Sequence, residues 1–183
     1  MRSNILSVSA ILLLSGCVAQ SPAVAPSIEQ PLRVMPAGLD AARVRADLIA
    51  TARTKFGDAA VDRALADPTH LIAKRFAGMV PPPPPGTPAD WAPPTPTALL
   101  IRTEQGWMTA TESGWRRANA EAAAEIDALL AQSRFWKEPD YTPACPDFGS
   151  SNLLLKVSRR SETLRIAQCT SAAASFVDAA LRA

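Results

Sequence analysis

Residues 151–168, SNLLLKV-SRRS-ETLRIAQ, carry the pattern on which the fold turns. Two apolar-rich segments flank a polar loop, as in a β-hairpin. With Val157 opposite Glu162, Leu155 meets Leu164 and Leu153 meets Ile166. Leu153, Leu155, Val157, Leu164 and Ile166 then share one face, and Lys156, Thr163 and Arg165 take the other. One buried and one mostly polar face is what an antiparallel sheet covered by helices on one side requires.

Working outward, residues 97–111 (TALLIRT-EQG-WMTAT) give a second hairpin, with Gly106 supplying the positive φ of a tight loop. Residues 112–119 (ESGWRRAN) turn the chain. Residues 120–133 (AEAAAEIDALLAQS) form a helix capped by Asn119, with Ala122, Ile126, Leu129, Leu130 and Ser133 on one face. A last helix covers about residues 172–181. The order β-β-α-β-β-α predicts an α+β domain over 98–183, two layers thick.

Further upstream, residues 39–56 place Val44, Leu48, Ile49, Ala52 and Phe56 on one helical face, with Gly57 as a stop. A shorter helix follows and ends before Pro68. Residues 69–80 (THLIAKRFAGMV) fit either a short strand or a helix capped by Thr69; the helix is favoured, so 39–80 reads as a helical segment. Residues 81–97 hold nine prolines between Pro81 and Pro96. Proline fixes φ and removes the amide donor, so this stretch is a polyproline linker rather than helix or central strand. It serves either as a ligand for a partner's aromatic groove or, as favoured here, as a connector docked through Trp91.

At the other end, Arg2 precedes an apolar run over residues 5–14, too short to span a bilayer. Leu14-Ser15-Gly16-Cys17 follows, and resembles the lipobox of bacterial lipoproteins. The resemblance covers the signal region alone. It implies removal of residues 1–16, leaving 167 of the 183. It also implies acylation of Cys17 and membrane attachment through that lipid. Val18 in place of an aspartate implies the outer membrane, periplasmic side. Residues 17–38, rich in proline and alanine, read as the tether. The competing reading is an ordinary secretory signal with a chance cysteine.

Setting Cys17 aside, Cys145 and Cys169 remain, in a compartment where disulfides persist. Cys169 sits just beyond the open end of the 151–168 hairpin, and Cys145 lies in a loop able to fold back to it. One structural disulfide is expected. A metal or reactive-thiol site is disfavoured because the chain has one histidine and no Cys-x-x-Cys.

A formal charge of +2 suggests no nucleic-acid partner. His70, the only histidine, has no Gly-x-Ser-x-Gly elbow to serve, and reads as exposed or hydrogen-bonded rather than as a base. Glu121 and Glu125 beside Arg117 read as a solvated stripe. No catalytic residues, cofactor or metal are expected. Trp91, Trp107, Trp115 and Trp136 are either core fillers or a stacking surface for sugars or peptides, with core favoured. The expected function is a non-enzymatic binding, envelope-assembly or inhibitor module with an envelope protein or peptidoglycan as partner. The alternative is a periplasmic hydrolase of cell-wall material.

Overall fold

The computed structural model describes residues 40–76, 85–88, 94–141, 149–167 and 171–183. Asp40 accepts the Ala42 amide at 2.9 Å and starts α1 (Ala41–Phe56). Gly57, at φ 83°, ends it and leads into α2 (Asp58–Ala66). Asp67, ahead of Pro68, is already extended at ψ 136°. Leu48, Ala52, Val61 and Ala64 are the buried residues of these two helices.

The next element is β1 (Thr69–Phe76), not the helix favoured from the sequence. Six of its eight residues are buried, because neighbours cover it on both sides and on both faces. A strand buried on both faces loses the polar alternation that identifies strands, which is why residues 69–80 could also be read as a helix.

The remaining strands are β2 (Thr97–Thr103), β3 (Gly106–Thr111), β4 (Gly114–Arg117), β5 (Ser150–Val157) and β6 (Thr163–Ala167). They form one sheet in the order β4-β3-β2-β1-β5-β6, antiparallel throughout. The β2–β3 hairpin closes on Gly106 at φ 103°, as expected. Residues 114–117, assigned to a turn, are instead the edge strand β4. A second tight turn at Glu112 and Ser113, followed by Gly114 at φ 126°, lets the chain reverse again. The edge is short and carries Arg116 and Arg117, a composition that discourages further strand addition.

The β5–β6 register differs by one residue from the expected one. Leu155 pairs with Thr163, Leu154 with Leu164 and Leu153 with Arg165. The cause lies outside the hairpin. At its far end β5 continues along β1 to the pair Thr69↔Val157, and the Ser158 amide bonds the Pro68 carbonyl at 2.7 Å and Thr69 Oγ1 at 3.1 Å. Ser158 takes φ 42°, and the loop is one residue shorter than the expected pairing requires, so Thr163 rather than Leu164 lies opposite Leu155. A one-residue slip reverses the faces of a strand. Leu164 therefore packs with Leu154, and Arg165 turns toward the side of Leu153 and Leu155.

Helices cover both sides of the sheet, giving three layers where two were expected. On one side α3 (Ala120–Ala131), α4 (Ser133–Lys137) and α5 (Ala172–Arg182) bury Ile126, Phe135, Phe176 and Val177 against Leu71, Leu100, Leu153 and Leu155. On the other, α1 and α2 cover Ile72, Leu99, Ile101 and Leu154. The broad class is α+β, with an antiparallel six-stranded sheet. Asn119 caps α3 as its sequence predicts, accepting from the Glu121 and Ala122 amides. Residues 77–80, Trp91, Cys17, Cys145 and Cys169 lie outside the described residues. No helix among the described residues is long and apolar enough to cross a membrane.

Candidate functional site: a cleft at one end of the sheet

The three described tryptophans do not meet. Trp107 is buried on the α3 side, where its Nε1–H donates to Asp127 at 2.9 Å under the Arg102 guanidinium. Trp115 is half-buried against the α1–α2 core, covered by Arg63 at 5.3 Å. Trp136 packs edge-on to Phe135, donates to the Leu130 carbonyl at 2.8 Å and lies beneath Arg160 at 4.2 Å. Each ring fills a corner of the core and has a polar atom or a cation of its own. Together they offer no stacking platform.

His70 is buried, not exposed. In the neutral ring Nδ1–H donates to the Asp67 carbonyl at 2.9 Å, leaving Nε2 as the acceptor. Nε2 is sealed from solvent without a hydrogen-bond partner, 3.8 Å from Glu162. Arg45 holds the Glu162 carboxylate through two contacts of 2.6 and 3.2 Å. That hydrogen bonding lowers the Glu162 pKa from the usual carboxylate range against the opposing effect of burial, and raises that of Arg45. The arrangement ties α1 to the start of β6. Its histidine nitrogen is closed to any external substrate.

Glu125 pairs with Arg182 of α5 at 2.6 Å, while Arg117 instead donates to the Gln105 carbonyl. Glu121 is exposed in the first turn of α3. Among the described residues no group of three or more His, Cys, Asp or Glu side chains could hold a metal ion.

What the fold does assemble is a cleft beyond the β3–β4 turn, where the ends of α1, α5 and the first residues of β2 converge. A cavity of about 520 Å³ is lined by Lys55 and Phe56 from α1, Thr97 from β2, Thr109 and Thr111 from β3, and Arg116 from β4. Glu112 and Ser113 form its turn side, and Ala180 and Leu181 its α5 wall. A second cavity of about 670 Å³ shares Lys55, Thr97 and Glu112 and adds Thr51, Thr54, Pro94 and Pro96. Both volumes fall in the range of small-molecule sites.

Most of the cleft's polar groups have internal partners. Lys55 Nζ donates to the Thr97 carbonyl at 2.8 Å and lies over the Phe56 ring. Thr97 Oγ1 donates to the Thr95 carbonyl, and Thr111 Oγ1 to that of Gly114. Arg116 and the Thr109 hydroxyl stand apart, each without a side-chain partner among the described residues. Sequence reasoning found none of these residues, since they come from four separate segments and share no motif. No family model, curated protein or solved structure matches the chain.

Proposed function

We propose that the chain is a non-enzymatic binding module of the bacterial envelope, held to the outer membrane by a lipid on Cys17, and that its ligand or partner engages the cleft at the β3–β4 turn. The single observation carrying this reading is that cleft, in which hydroxyls, two cations and one side-chain carboxylate line a space of small-molecule size. The hydrolase alternative has a specific difficulty: the one histidine presents its free nitrogen to the protein interior. The lipidated location rests on the Leu14-Ser15-Gly16-Cys17 motif alone. A Cys145–Cys169 disulfide belongs to the same reading. It draws support from the parallel bridge of Tyr141 with Ile166, which brings the chain four residues before Cys145 beside the chain three residues before Cys169.

The test is site-specific photo-crosslinking in intact cells. A benzophenone side chain at Ser113 should give a discrete adduct, whereas one at Glu104, at the opposite end of β3, should give none. Absence of an adduct at Ser113 refutes the cleft as the site. Clearing of a cell-wall gel by the purified protein reverses the choice in favour of the hydrolase. Cys17→Ala should abolish labelling by radioactive palmitate.

A further inference from the structure

The polar groups of the cleft indicate what kind of ligand it takes. Seven Lys and Arg side chains among the described residues hold a carboxylate. Others donate to carbonyl or amide oxygens, or stack on rings. Arg116 does none of these among the described residues, although it is fixed on a strand. Arg43, Lys137 and Arg159 also lack partners there, but they line neither cavity.

Thr109 is directly opposite Arg116 in the β3–β4 register, so the two side chains leave the sheet on the same face. Cβ atoms in such a pair are about 5 Å apart. Thr109 is only 6% exposed, and its hydroxyl has no hydrogen-bond partner among the described residues. That oxygen is not among the buried polar atoms left unpaired, so it opens to the solvent of the cleft and can bond a ligand there. It adjoins a guanidinium in a cavity wall, where a ligand oxygen could accept from both. Lys55, with one donor spent on Thr97, adds a second cation across the cleft, where Glu112 is the one side-chain carboxylate and Ala183 also joins the lining.

Resting on the binding reading above, we propose that the cleft takes a small ligand by an anionic group, carboxylate or phosphate, seated on Arg116 and Thr109 with Lys55 as the second cation. Guanidinium and hydroxyl donors on one oxyanion form charge-assisted hydrogen bonds, stronger than neutral ones. The acid at Glu112 opposes the bound charge and limits affinity.

The experiment uses the full-length ¹⁵N-labelled protein in detergent micelles at constant ionic strength. It is titrated separately with inorganic phosphate, N-acetyl-L-alanine and the neutral N-acetyl-L-alaninamide. Saturable shifts at the Thr109 and Arg116 amides and at Arg116 Nε are expected with phosphate, with the carboxylate, or with both, the responding arm naming the anion. The neutral amide should leave them unmoved. Arg116→Gln, at an exposed position that leaves the core intact, should weaken binding at least about tenfold. Glu112→Gln should tighten it. Saturation by neither anion, or unchanged affinity in Arg116→Gln, overturns the proposal. Equal binding of the neutral amide also overturns it while leaving the cleft a binding site. The crosslink at Ser113 tests that broader reading separately.

Discussion

Arg45 and Glu162 show how a single pair far apart in sequence clamps a helix to the sheet. Arg45 holds the Glu162 carboxyl below its ordinary pKa of about 4.3. A carboxyl depressed in the folded state stabilises above its unfolded pKa, and that stabilisation is lost as pH falls through the lower folded value. Both groups are partly exposed, so the pair contributes less than about 1 kcal/mol. Arg45→Met should lower the urea midpoint slightly near neutral pH. The difference from the parent should shrink as pH falls below the unfolded value of about 4.3 and vanish only once the lower folded value is passed, a trend that urea melts at falling pH would show. Arg165 poses the opposite case: it is buried, pairs with Asp140, and keeps its Nε without a partner. Asp140→Ala, which strands that charge, should cost about 1–3 kcal/mol. Arg165→Met should be neutral or stabilising, since a buried charge whose partner is largely exposed recovers little of its desolvation. Equal losses in the two variants, measured by urea unfolding, would contradict this account.

At the scale of the element, α5 depends on a residue outside itself. Ser171 caps it by accepting from the Ala174 amide. Glu138, just past α4, accepts from the Ala172 and Ala173 amides at 2.9 and 3.2 Å. Three of the helix's open N-terminal donors are thereby filled, two of them by a full negative charge at the positive end of the helix dipole. Glu138→Ala should cost about 1–2 kcal/mol, more than Asn119→Ala at α3, at about 1 kcal/mol. Thermal unfolding of the two variants ranks them. Asn119 was legible in the sequence because a cap stands next to its helix. Glu138 was not, because it reaches α5 across an intervening stretch of chain. The same distinction explains the strands. The β2–β3 hairpin was readable from its own turn, whereas the β5–β6 register was set by the pairing of β5 with β1 and slipped by one.

For the molecule as a whole, the central position of β1 is decisive. It lies between β2 and β5 and pairs with each, so within the sheet the two hairpins recognised in the sequence are joined through it, while α5 packs across both. A fragment covering 97–183 should therefore fail to fold: it lacks the strand that joins its halves and exposes Leu99, Ile101 and Leu154, which α1 and α2 cover. Weak near-ultraviolet dichroism with strong binding of a hydrophobic dye is expected for it, and a single sharp thermal transition for 40–183. Independent folding of the shorter fragment would show that the sheet does not need β1. Leu154→Ala, at a fully buried position under α1, should cost about 2–5 kcal/mol by the same measurement.

Local chemistry determined most of the helices and the caps that stand next to them, the glycine-closed β2–β3 turn, the α+β class and the signal-like first residues, because each is written within a few neighbouring residues. Tertiary structure alone decided that 69–76 is a strand, that helices cover both faces of the sheet, and which way Leu164 and Arg165 point. The cleft belongs to that second group. Lys55, Thr97, Thr109 and Arg116 acquire a common purpose only when α1, β2, β3 and β4 end at the same place, and no spacing along the chain records that meeting.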